Sequence, residues 1–256
     1  MSGVQVFIEP GAGAKPVVRP IATATSSGWV ELYLLTDLAV IDALEEAANR
    51  HVEVRMPLEA HPFGSGDVSA QKSLNTLKLA GVQARAACSA FTYTHAKAML
   101  IDQATLYILT GNLTRSGLGG SPAQVNRDFR GIETDAQDVA EAVHIFQADW
   151  DHTHYQPSAS HLLVSLVNAQ AGILGLIGGA QQTLHIGDEE MFDTAFRGCD
   201  DRYCTAWRGR GVAAVDAESR RLGCLGEGCA APDWQWCARA LSRRALALYA
   251  CQTHSS

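Results

Sequence analysis

The sequence predicts an α/β fold, a mixed β-sheet flanked by helices, followed by an incomplete second repeat of its own beginning. Three observations lead there. Over the first 150 residues, short β-rich runs alternate with segments of helical periodicity. Two β-rich runs, Ala98–Asp102 and Thr105–Leu109, meet at a tight Gln103-Ala104 connection. Finally, Val6–Asp37 can be laid beside Leu163–Asp193, each reading strand, small-residue turn, helix, strand and then an acid ahead of the next helix.

Taken in order, Val4–Ile8 is a short β-rich run closed by Pro10 and Gly11. Val30–Leu35 is a second strand. Thr36 and Asp37 offer N-caps to a helix whose apolar positions Leu38, Ile41 and Leu44 are three apart, as one buried face requires. Val52–Leu58 is a strand. Ser69–Ala80 is amphipathic with Leu74 and Leu77 inward, and Gly81 stands where a helix C-cap belongs. After the paired runs at 98–109, Gly131–Glu133 is a last strand before the helix Ala136–Trp150.

Composition supports a folded chain, with 47% hydrophobic and 18% charged residues. The net charge of −7 argues against gripping nucleic acid by general electrostatics, which usually calls for a basic face. Met1–Pro10 has neither a basic n-region nor an apolar h-region, so no signal peptide is read. Leu162–Ala180 is apolar but interrupted by Asn168 and Gln170, and reads as strand plus helix in preference to a membrane span. The expected location is the cytoplasm or the periphery of a membrane.

Beyond about Phe196 the character changes. Residues 1–196 carry 11 basic against 21 acidic residues, whereas 197–256 carry 9 Arg, no Lys and 6 acids. Cysteines 199, 204, 224, 229, 237 and 251 and three of the five tryptophans fall in this tail. The four-residue gaps of Cys199/Cys204 and Cys224/Cys229 do not fit a zinc knuckle, and a disulfide framework would need an oxidising compartment. The tail is read either as a small module or as a segment that is disordered or out of frame. For the latter, codons for residues 197–208 can be chosen so that a one-base shift yields an amphipathic helix. The expected division is a catalytic domain at 1–155, the start of a second repeat at 156–196 and the atypical tail at 197–256.

The chemistry concentrates in His95-Ala96-Lys97, then Asp102, Thr110 and Asn112. Side chains two apart on a strand share a face, so an imidazole stands beside an ammonium: a nucleophile next to a phosphate clamp. Lysine donates up to three hydrogen bonds and asparagine adds an amide donor. His-x-Lys alone arises often by chance. An acid five residues on, then a hydroxyl and an amide after a strand-turn-strand, makes chance a poor account.

This pattern resembles the phospholipase D superfamily, whose members carry H-x-K-x4-D-x6-G-S-x-N. His95, Lys97, Asp102, Thr110 and Asn112 fall on the His, Lys, Asp, Ser and Asn places, while Leu109 replaces the Gly and Gly111 fills the variable place. Asn126-Arg127-Asp128 matches the N-R-E or N-R-D stretch that follows, and Tyr33-Leu34-Leu35-Thr36-Asp37 is similar to the bacterial, cardiolipin-synthase-like branch. The resemblance covers 4–152, weakens over 161–196 and stops there.

The resemblance implies a phospholipase D-like fold and a phosphohistidine mechanism without metal or cofactor. His95 attacks phosphorus, Lys97, Thr110 and Asn112 bind the phosphate, Asp102 belongs to the catalytic motif, and Asp128 orients the histidine. A second histidine protonates the leaving alcohol and later activates water. No second His-x-Lys exists, since Lys97 is the last lysine and the remaining histidines are 51, 61, 144, 152, 154, 161, 185 and 254. His152 and His154 are read as exposed loop residues ahead of metal ligands or a replacement acid.

A single half-site has three readings. A homodimer supplies one His95 from each chain, or the chain is truncated from a tandem enzyme, or it is an inactive fragment that only binds phosphate. The expected substrate is a phospholipid, by hydrolysis or phosphatidyl transfer, with peripheral membrane contact. The alternative is a nuclease on DNA or RNA, for which Arg115, Arg127 and Arg130 are the nearby cations.

Overall fold

The computed structural model of the protein describes residues 4–64, 67–124, 126–158 and 160–180, with the strand backbones 184–188, 212–216 and 247–249. The chain forms two compact units, Met1–Val167 with Ser242–Ser256, and Asn168–Leu241.

The first unit is built on a seven-stranded sheet: β1 Gln5–Ile8, β2 Ser27–Leu32, β3 Glu53–Leu58, β4 Gln83–Ala86, β5 Lys97–Ile101, β6 Thr105–Leu109 and β7 Phe129–Glu133. Their spatial order is β1-β7-β6-β5-β2-β3-β4. β2, β3 and β4 run parallel, while β5 is antiparallel to both β2 and β6, and β7 is antiparallel to β6 and β1. The sheet is therefore mixed, as the alternation and the paired runs predicted.

Helices α1 Lys15–Thr23, α2 Leu38–Asn49 and α3 Asp67–Leu79 contribute to a core with one sheet face. Val17 and Ile21 of α1, Val40, Ile41 and Leu44 of α2, and Leu74 and Leu77 of α3 meet Val30, Leu32, Met56 and Met99 there. Helix α4 Ala136–Asp151 covers the other face, with Val139, Ala142, Ile145 and Phe146 against Trp29, Ala98, Leu100, Leu106 and Ile108. A strand covered on both faces loses its alternating pattern. All six residues of β2 are buried.

That burial explains one shift from expectation. The second strand was predicted at 30–35 but lies at 27–32, because Ser27 and Gly28 belong to the ladder despite their poor strand propensity. Leu38 is a second correction. It begins α2 and is 72% exposed, and the buried face is Val40, Ile41, Ala43, Leu44 and Ala47. The cap is as predicted: the Asp37 carboxylate accepts from Val40 N. Helix α3 ends as its sequence suggests, with Gly81 at φ +87°. Val82 N donates to Leu77 O and Gly81 N to Lys78 O, the paired bonds of a Schellman motif. Strand β4 was not anticipated. Gln-Ala-Arg-Ala has little β propensity, and it forms an edge strand recruited by β3.

The chain continues into β8 Leu163–Ser165, which pairs in parallel with β11 Ala247–Tyr249. In the second unit, α5 Ala169–Gly178 precedes β9 Leu184–Asp188, which pairs in parallel with β10 Val212–Asp216. The strand-helix-strand order expected after 156 is thus present along the chain. The compact units end at Val167 and Leu241, while the sequence reading divides at 155 and 196. The six tail cysteines lie outside the described residues.

Candidate active site

Strand direction collects the polar groups at one edge of the sheet. Strands β2, β3 and β6 end there, followed by Tyr33, Glu59 and Thr110, and β5 and β7 begin there, at Lys97 and just after Asp128. Ligands favour the carboxyl ends of strands in open α/β sheets, because chain direction changes there and the loops are free to vary.

Lys97 pairs with Leu32 in the ladder and is 8% exposed, whereas His95 stands exposed before the strand. Lys97 Nζ lies 3.2 Å from His95 Nδ1 and 3.4 Å from Nε2, and donates to His95 O at 3.0 Å. The ammonium is thus fixed to the backbone beneath the imidazole. Tyr33 packs its ring at 64° to the imidazole, 4.6 Å between centroids, and lies 5.6 Å from Lys97 Nζ. Its hydroxyl accepts from Phe63 N at 2.5 Å.

Glu59, missed by the sequence reading, secures the loops around this group. Buried just after β3, its carboxylate accepts Thr94 N at 2.7 Å and His61 N at 2.9 Å. Thr94, the residue before His95, is therefore held by a side chain from the end of β3, which β2 separates from β5 in the sheet. The available signal was an acid directly terminating the apolar strand Val52–Leu58, a place that demands partners.

Thr110 and Asp128 form a second group. Thr110 Oγ1 donates to Asp128 Oδ1 at 3.3 Å and accepts Phe129 N at 2.8 Å. Gly111 is dictated by this contact, since a Cβ there would collide with the Asp128 carboxylate. In the same loop, Asn112 Oδ1 is enclosed and makes no hydrogen bond among the described residues. The loop is tied to the N-terminal end of α2 by its neighbour, Leu113 O accepting from Thr36 N and Asp37 N.

Asp102 is not brought to His95. It lies in the turn after β5 with φ +52°, at the other end of that strand. Its carboxylate accepts from the backbone N–H groups of Thr25, Ser26 and Ser27 and from the Thr25 and Ser26 hydroxyls. Partial burial works against its charge, yet the bonds from Ser27, Ser26 and Thr25 outweigh it and hold the carboxyl well below the usual carboxylate range. The motif's acid fastens β5 to the loop ahead of β2, and its expected place among the catalytic groups is corrected.

The arginines divide similarly. Arg130 is buried in an ion pair with Glu9 at 2.6 Å and donates to Gly13 O and Gly117 O, so it does not face a substrate. Arg115 and Arg127 are exposed, Arg115 Nε donating to Gly120 O. His152 caps α4 at φ +53° and His154 contacts Gln156, both exposed as expected. Among the described residues one cluster has metal-ligand spacing: Asp135, Asp138 and His161. Asp135 already accepts the N–H groups of Gln137 and Asp138 as the cap of α4, and Asp138 accepts His161 N, so both carboxylates have structural partners.

Residues 17–150 match the family described as cardiolipin synthase, PLD-like domain. The chain belongs to the phospholipase D-like family. No curated protein matches it by sequence. Among solved structures, this phospholipase D-like chain is similar to the phospholipase D family member Nuc from Salmonella typhimurium. The TM-score is 0.52 and identity 21%, over 62% of this chain and 100% of Nuc. It is also similar to phosphatidylserine synthase from Haemophilus influenzae, with TM-score 0.57 and 12% identity over 82% of this chain and 62% of that one. Polyphosphate kinase from Porphyromonas gingivalis gives TM-score 0.65 and 18% identity over 82% of this chain and 37% of the kinase. At these identities the likeness is one of fold.

Proposed function

We propose that this phospholipase D-like chain is one half-site of a phosphodiesterase acting on phospholipids, by hydrolysis or phosphatidyl transfer, with His95 as nucleophile. The observation that carries this reading is the buried Lys97 ammonium fixed against the exposed His95 imidazole. An ammonium at that place offsets the charge of a phosphate drawn to the ring and neutralises what develops on its non-bridging oxygens. Asn112 adds an amide donor, and the Thr110 hydroxyl becomes a further donor where it turns from Asp128 to the phosphate.

In the first step a ring nitrogen of His95 forms a bond to phosphorus and the bond to the leaving alcohol breaks. The departing oxygen takes a proton from a second histidine. In the second step that histidine removes a proton from water or an acceptor alcohol, whose oxygen displaces His95 from phosphorus. Asp128 orients the histidine. The second histidine comes from another copy of the chain or from a second repeat. The cardiolipin-synthase description of the matched family favours phospholipids over nucleic acid, as does the net charge of −7.

The test is turnover of a soluble chromogenic phosphodiester by the purified chain, beside His95→Ala, with the mass in solution recorded. We expect turnover from a dimer, abolished in the variant. Equal turnover with and without His95 would refute the assignment. Silence from a folded monomer would place the second histidine on a repeat absent from this chain. A steep salt dependence of DNA binding would favour the nuclease.

A further inference from the structure

Among the described residues between 4 and 150, four large apolar side chains are strongly exposed: Leu38 at 72%, Phe63 at 83%, Leu79 at 91% and Tyr93 at 41%. Three of them stand at the His95 end of the sheet. Phe63 is fixed there by its N–H to the Tyr33 hydroxyl, and the Tyr93 ring lies 6.1 Å from that of Tyr33, which itself packs on His95. Leu38 opens α2 beside the backbone bonds from Thr36 and Asp37 to Leu113, one residue past Asn112.

The charge pattern of the adjoining sequence is the second observation. Residues 60–66, Ala-His-Pro-Phe-Gly-Ser-Gly, and residues 86–96, Ala-Ala-Cys-Ser-Ala-Phe-Thr-Tyr-Thr-His-Ala, contain no Asp, Glu, Lys or Arg, in a chain with 18% charged residues. Phe63 and Tyr93 stand exposed within these uncharged runs, which suits a surface with an apolar interior and a wet boundary. Such runs do not suit a polyanion, which would call for Lys and Arg.

We infer that Phe63, Tyr93 and Leu38 form an apolar lip that enters the surface of a lipid bilayer and brings His95 to the plane of the headgroups. This deepens the phospholipid reading of the same site and rests on it. The phosphorus of a membrane phospholipid is only a glycerol away from the acyl chains. A nucleophile that reaches it in place needs neighbours able to enter the acyl boundary. The chain is acidic overall, so attraction to an anionic surface does not seat it, and insertion of the lip does.

The experiment is co-sedimentation of the full chain with vesicles of phosphatidylcholine, a lipid without net charge, for wild type, Phe63→Ser and Phe63→Trp. In parallel, turnover of the soluble phosphodiester and mass in solution are measured. Phe63 is too exposed for either substitution to disturb the core. The lip predicts that Phe63→Ser lowers vesicle partition about tenfold and Phe63→Trp raises it, with soluble turnover unchanged. Equal partition of the three proteins, or none by wild type, overturns the proposal. So does a Phe63→Ser variant that falls from dimer to monomer, because the lip is then a contact between copies. Loss of the phosphohistidine reading shows separately, as soluble turnover indifferent to His95→Ala.

Discussion

The Asp102 carboxylate accepts the Ser26 N–H at 2.7 Å, at the end of β5 opposite His95. The two motif residues thus lie beyond opposite ends of a strand about 15 Å long. Asp102 serves the site by fixing the strand that starts at Lys97.

Asp102→Asn therefore lowers stability before it touches chemistry. Replacing an acceptor of five donors by an amide costs about 1–2 kcal/mol at this partly exposed position. Because the folded carboxyl is depressed, its contribution is complete above the unfolded value of about 3.9. It is lost as pH falls through the lower folded value. Urea unfolding at a series of pH values should show the gap between wild type and variant close in acid.

Glu31 on β2 is the opposite case. It is fully buried, and desolvation first, then the adjacent Asp149 carboxyl and the Cys88 thiol, push its pKa well above the usual range. A folded carboxyl with a raised value binds a proton the unfolded chain releases, so stability declines as pH rises from about 4.3 through the folded value. Glu31→Gln keeps the shape and removes the titration. The variant should gain about 1–2 kcal/mol at neutral pH and lose the decline, read from thermal unfolding between acid and neutral buffers.

In the proposed mechanism Glu59 positions His95 without touching the phosphate. Glu59→Ala leaves the buried Thr94 N–H without its acceptor and frees the residue before His95. Turnover of the soluble phosphodiester should fall by roughly 10²-fold, mainly in kcat, since positioning is lost while Lys97 and Asn112 still bind. Unchanged turnover in the folded variant would show that the loop holds itself.

What the sequence displayed, and what it concealed, follows from range. The β5–β6 pair, the Asp37 cap and the Gly81 stop are local, set by residues a few positions apart, and all are present. The approach of His95 and Lys97 was legible because the two are two residues apart, although His95 lies just before β5 and not on it. The role of Asp102 was not, because its donors lie 75 to 77 residues away. Leu38 fits the helical period yet lies outside, because the period fixes a stripe and the packing chooses its edges. Arg130 looked like a cation available to a substrate until its partner, Glu9, arrived from just after the first strand.

The burial of Lys97 also makes it a chemical reporter. The chain has four lysines, at 15, 72, 78 and 97, and the other three are exposed. An amine-acylating reagent should mark those three promptly and Lys97 only when the strand edge opens. The labelling rate of a single peptide then times the breathing of the candidate site, with no substrate present and no probe introduced.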